Sequence, residues 1–131
     1  MEKDIIATSK ILIVDDQDAN VLLLERLLQH AGYKNYLSLT DSRGLLDQYR
    51  LFQPDLIILD LMMPRENATT NFQNLRQRRP GIPILLCTGL PQADPAPELL
   101  RSGAVGLLRK PFRMNELWYA VRQGLSAGVP E

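Results

Sequence analysis

A single cysteine, Cys87, rules out an intrachain disulfide framework, and its place in an apolar run marks it as core. Charge of one sign is missing as well. Fifteen Lys and Arg balance fifteen Asp and Glu, which removes any long-range pull toward nucleic acid or anionic membrane. No apolar run approaches the roughly 20 residues of a membrane-spanning helix, because Asp60 interrupts the longest candidate. The opening Met1-Glu2-Lys3-Asp4 lacks the basic-then-apolar layout of a secretory signal. A cytoplasmic protein without membrane insertion and without direct nucleic-acid binding is the expectation. The 131 residues are enough for one domain with its own core.

What the chain does have is four short apolar runs, each stopping at a polar residue. Ile11-Leu12-Ile13-Val14 ends at Asp15-Asp16, and Leu56-Ile57-Ile58-Leu59 ends at Asp60. Ile84-Leu85-Leu86-Cys87 ends at Thr88, and Val105-Gly106-Leu107-Leu108 runs through Arg109 into Lys110. Runs of this length, separated by amphipathic stretches, read as buried strands of a parallel sheet. Such a sheet delivers every strand's last residue to one edge, where open α/β folds bind ligands. Three carboxylates, a hydroxyl and an ammonium are therefore expected at one site, a set suited to metal-assisted phosphoryl chemistry.

Spacing predicts strands over 10–14, 35–39, 55–59, 82–87 and 104–109. Helices are predicted from Asp18, as N-cap, to a stop at Gly32, from a Ser42 cap to about Phe52, and over 69–79, 96–102 and 114–125. Residues 1–9 and 126–131 read as short mobile tails around a 10–125 domain. Strict β-α alternation with right-handed crossovers gives a three-layer, doubly wound (βα)5 domain. Leu117, Val121 and Leu125, with Met114 and Trp118, form the apolar stripe of the last helix. His30 and the group Arg76, Arg78 and Arg79 read as solvated helix ends that complement the dipole.

Val14-Asp15-Asp16, Asp60, Leu61-Met62-Met63-Pro64, Thr88, Gly103-Ala104 and Lys110-Pro111 stand in the order of one family's pattern. They include its 22-residue step from Thr88 to Lys110. With these residues the chain resembles the receiver domains of two-component response regulators over about 10–125. The resemblance implies a flavodoxin-like sheet of order 2-1-3-4-5 and a Mg²⁺ site, also open to Mn²⁺, at Asp15, Asp16, Asp60 and the backbone carbonyl of Met62. It implies Asp60 as phosphoacceptor, assisted by Thr88 and Lys110, with a cis bond before Pro111 aiming the lysine inward. It further implies a sensor histidine kinase or histidine phosphotransfer protein as donor and a downstream protein as target. The target would dock on the face of the fourth helix, fifth strand and last helix, and a homodimer stays open. Such a protein catalyses its own phosphorylation and dephosphorylation without being a conventional enzyme.

The chain departs from the pattern at Asn67-Ala68, where the family usually has Asp-Gly, and at Leu107, where it has a switching aromatic. Pro91, Pro95 and Pro97 stiffen the connection after Thr88. Met62 and Leu90 are apolar at the two places that flank the family's attacking water, which implies a long-lived acyl phosphate. The alternative reading is a receiver-like module that binds partners without phosphorylation. A phosphohydrolase fits poorly, since Leu61-Met62 follows Asp60 where such enzymes place a second Asp.

Overall fold

The computed structural model describes residues 2–63, 68–89 and 95–127. Its elements run α1 (Glu2–Thr8), β1 (Lys10–Val14), α2 (Asp18–Ala31), β2 (Asn35–Leu39), α3 (Leu45–Phe52) and β3 (Leu56–Asp60). They continue with α4 (Ala68–Arg78), β4 (Ile84–Thr88), α5 (Ala96–Arg101), β5 (Gly106–Arg109) and α6 (Met114–Ala127). The five strands form one parallel sheet of order β2-β1-β3-β4-β5. This is the flavodoxin-like doubly wound order that the family resemblance implies.

The central strands are apolar through their interior positions, with polar residues only at their ends (Lys10, Asp60 and Thr88), because both sheet faces are covered. Side chains alternate between the faces, as a two-residue period requires. Leu12, Val14, Ile57, Leu59, Ile84 and Leu86 pack with α3, α4 and α5 through Leu45, Phe72, Leu75 and Leu99. Ile11, Ile13, Leu56, Ile58, Leu85 and Cys87 pack on the other side, against Val21, Leu24 and Leu28 of α2 and Leu117, Val121 and Leu125 of α6. Each fully buried aliphatic side chain contributes about 1.5–3 kcal/mol of transfer free energy. Truncating Ile58 to Ala, in the middle of the central strand, costs about 2–5 kcal/mol.

Several local expectations are corrected. Residues 2–8, expected as tail, form α1: Ile6 packs on the second core layer and the Asn35 side-chain amide donates to the Ala7 carbonyl at 3.0 Å. Gly32 makes that approach feasible. It closes α2 in the left-handed region (φ 102°), and a Cβ there would sit 3.2 Å from Ile6 Cγ2. Asp18 is the first helical residue of α2 and Gln17 occupies the cap position, because the Gln17 N–H is held by Asp15 Oδ1 at 3.0 Å. Gly44, not Ser42, precedes α3, and Leu45 N–H donates to the Ser42 carbonyl. The last helix extends to Ala127, and Met114 on its first turn is exposed rather than part of the buried stripe. Trp118 is half-buried, donates to the Leu27 carbonyl at 2.9 Å and stacks on His30. Arg76 is not merely solvated: it lies over the Phe72 ring and donates to the Gly103 carbonyl at 3.2 Å. Residues 64–67, 90–94 and 128–131, which include Asn67, Leu90 and Pro91, lie outside the described residues. Among the described residues no helix is long and apolar enough to cross a membrane.

Candidate metal and phosphoryl site

Parallel register brings the strand ends together. Val14 pairs with Leu59, Asp60 with Cys87, and Thr88 with Arg109, so the chemistry-bearing residues after each run share one edge. Backbone bonds extend this alignment past the strands: Asp15 N–H donates to the Leu39 carbonyl, Leu61 N–H to Cys87, and Lys110 N–H to Thr88. Asp15, Asp60 and Thr88 are almost fully buried at 1%, 3% and 1% exposure, unusual for carboxylates unless they are paired.

Lys110 supplies the pairing. Its Nζ lies 3.1 Å from Asp15 Oδ2 and 3.2 Å from Asp60 Oδ1, and the Lys110-Pro111 bond is cis. Each buried aspartate is also held by the amide two residues on, Gln17 N–H on Asp15 Oδ1 and Met62 N–H on Asp60 Oδ1 at 3.1 Å. These two Asx turns fix the carboxylates without calling on other side chains. Neither amide was singled out from the sequence, although an Asp at a strand end followed by a turn is the signal that would have found them.

The electrostatics are those of an acidic hollow with too little positive charge. Burial first, then the neighbouring Asp15 carboxylate, raise the Asp60 pKa above the ordinary carboxylate value, against the Met62 N–H and Lys110, which lower it. For Lys110, burial alone acts downward, but the combined pull of Asp60, Cys87 and Asp15 prevails and holds it above the usual lysine value. Cys87 sits beneath the site with its thiol pushed up to about 12 by burial, so it stays protonated and unreactive.

Carboxylate oxygens of Asp15, Asp16 and Asp60 lie within 4.8 Å of one another. Asp16 Oδ1 is buried and has no hydrogen-bond partner among the described residues. An orphaned anionic oxygen is costly unless something cationic meets it. Three carboxylates against one ammonium leave two negative charges, and an all-oxygen donor set suits a hard divalent ion such as Mg²⁺. The residues present fit that ion.

Residues 11–122 match the response regulator receiver domain family. The chain belongs to that family. This receiver is 25% identical over 114 residues to the chemotaxis protein CheY of Thermotoga maritima, covering 87% of the chain and 95% of that protein. It is 38% identical over 115 residues to the DNA-binding dual master transcriptional regulator RpaA of Synechocystis, covering 86% of the chain but 47% of RpaA. The receiver therefore spans about half the length of that relative. Among solved structures, CheY4 of Vibrio cholerae superposes with a TM-score of 0.78 at 28% identity, covering 88% of this chain and 98% of that one. A receiver domain from Clostridium thermocellum shares the fold at a TM-score of 0.82, 24% identity and coverage of 90% and 94%. The acidic pocket of Asp15, Asp16 and Asp60 is of the kind that holds Mg²⁺ in receivers, a family of two-component signalling proteins rather than conventional enzymes.

Proposed function

We propose that this receiver accepts a phosphoryl group on Asp60 from a phosphohistidine, carried by a sensor histidine kinase or a histidine phosphotransfer protein. The observation that carries the reading is the buried meeting of three carboxylates and Lys110 around the orphaned Asp16 oxygen. The hydrogen bonds from Met62 and Lys110 both fall on Asp60 Oδ1, which leaves Oδ2 to attack phosphorus. A new Oδ2–P bond forms as the donor's N–P bond breaks, and the imidazole leaves with the electron pair and takes up a proton. The product is an acyl phosphate, the usual result of carboxylate nucleophiles.

Asp15, Asp16, Asp60 and the backbone carbonyl of Met62 would hold Mg²⁺, which when bound offsets the repulsion between an anionic nucleophile and an anionic phosphoryl group. Lys110, already within reach of Asp60, neutralises charge growing on a phosphoryl oxygen. Thr88, at the end of the adjacent strand, donates its hydroxyl to a second oxygen. Phosphorylation exchanges the single charge of the Asp60 carboxylate for nearly two, in a pocket where one ammonium faces three carboxylates, and this electrostatic change is the source of the switch. The switch reaches a downstream protein target through the face of α5, β5 and α6. Leu107 is half-buried in β5, so the movement there runs through backbone rather than through an aromatic rotamer.

Incubation with acetyl phosphate tests this. Intact mass should rise by about 80 Da in the presence of Mg²⁺, and not in Asp60→Asn or with excess chelator. No mass gain in the wild type with metal would overturn the reading in favour of a module that docks its partners without phosphate.

A further inference from the structure

At the opposite edge of the sheet, roughly 17 Å from Asp60 by the five residues of β3, the C-terminal turns of α3 and α4 enclose a cleft of about 580 Å³. That volume is within the range of small-molecule sites. Arg50, Arg78 and Arg79 line it, together with Asp47, Asp55 and Tyr49.

Each acid of this cleft has one contact, and three arginines against two aspartates leave the lining a formal excess of one positive charge. Asp47 lies 3.9 Å from Arg50, and Asp55 Oδ2 accepts the Lys10 N–H at 2.8 Å. Arg78, which ends α4, and Arg79, just beyond it, are less committed. Arg78 has no ion-pair partner among the described residues, and Arg79 donates one N–H to the Pro54 carbonyl at 3.1 Å, leaving the rest of its fork. Tyr49 is nine-tenths buried, and its hydroxyl makes no hydrogen bond of ordinary geometry among the described residues, although Arg79 is beside it. A second cavity of about 230 Å³ shares Leu46 and Asp47 with the first and follows α3 toward its N-terminus. Asn71, on its wall, presents a second buried polar atom without a partner, its side-chain nitrogen. Complementing the dipole of a helix end explains one arginine in a last turn. It does not explain an Arg78 guanidinium without an ion pair and an Arg79 guanidinium only partly engaged, both on a cleft that also holds the unpartnered Tyr49 hydroxyl.

We propose that the cleft between α3 and α4 binds a small organic oxyanion through Arg78 and Arg79, with its body lying along Leu46. Planar guanidinium forks match the paired oxygens of a phosphate monoester or a carboxylate. The Tyr49 hydroxyl, which burial keeps protonated, and the Asn71 amide supply further donors along the same track. The site is independent of the reaction at Asp60 and gives the receiver a second input.

Heteronuclear NMR titration without divalent cations tests it, using AMP, inorganic phosphate and citrate as probes at constant ionic strength. With AMP, the amides of Gln53, Asp55, Arg78 and Arg79 should shift saturably with a Kd of about 1 mM or below, while those of Leu61 and Met62 stay still. Affinity should fall at least about tenfold in Arg78→Gln/Arg79→Gln and also weaken in Arg78→Gln, which leaves the Arg79–Pro54 contact intact. Tighter AMP than citrate identifies the phosphate ester, and the reverse order identifies a carboxylate ligand; both support the site. Shifts that stay linear for all three probes to about 10 mM, equal affinity in the variants, or changes confined to the acidic pocket would overturn it.

Discussion

Asp60 sits where burial disfavours its charged form. Burial raises its pKa, so the folded state holds this proton more tightly than the unfolded chain does. Between the two pKa values the folded protein binds more protons, and stability falls as pH rises through that window. Above it the ionised, buried carboxylate opposes folding in the absence of metal. Asp60→Asn should therefore raise the metal-free Tm at neutral pH, by about 2–6 °C, with the gain shrinking toward acid. Calorimetry from acid to neutral pH checks this, and a mutant less stable than wild type at neutral pH would refute it. Lys110 acts in the opposite sense: its raised pKa contributes stability that is fully present below the unfolded lysine value and lost at higher pH. Met62, exposed beside Asp60, offers no group to orient water. Met62→Asn should speed loss of the phosphoryl group by about tenfold or more, measured as decay of the phosphorylated mass, whereas an unchanged rate would show that position 62 does not govern the path of water.

Among the elements, the helix joints carry the sharpest expectations. Gly103 follows α5 with φ 112°, and a Cβ there would lie 2.7 Å from Arg76 Nη2. Gly103→Ala should cost about 1–2 kcal/mol in denaturant unfolding, while Arg76→Ala, which only loses a surface hydrogen bond and a ring contact, should cost less. Equal costs would mean that the backbone strain is unimportant. The strands were legible because both faces of a parallel sheet demand aliphatic residues, and a run such as Leu56-Ile57-Ile58-Leu59 has few other uses. Cap positions were less so, since Asp15 takes the Gln17 amide and shifts the start of α2 away from the Asp18 cap. Helix α1 was not legible. Seven residues with Ile5 and Ile6 as their only large aliphatic side chains carry too little periodicity, and α1 is held by tertiary contacts to Gly32 and Asn35.

At the scale of the molecule, one sheet presents two unlike ends. The C-terminal edge gathers buried acid around Lys110, and the N-terminal edge carries the arginine-lined cleft. The first was legible because strand order and direction alone force Asp15, Asp60, Thr88 and Lys110 together, whatever the helices do. The second was hidden: Arg50, Arg78 and Arg79 come from separate helix ends, and no spacing rule brings them to one cavity. If the acidic edge binds a divalent ion as a unit, Mg²⁺ should raise the Tm of the wild type, with the shift growing with concentration and lost in Asp16→Asn. A shift of equal size in that variant would place the ion elsewhere.

In the proposed reaction Asp60 alone takes the phosphoryl group. Borohydride reduction of the phosphorylated protein converts an acyl phosphate to an alcohol, so peptide sequencing by mass spectrometry reads the site directly. Homoserine is expected at position 60, formed only after treatment with acetyl phosphate and Mg²⁺. Homoserine at position 15 or 16, or none in a protein that has gained the mass of a phosphoryl group, would contradict it.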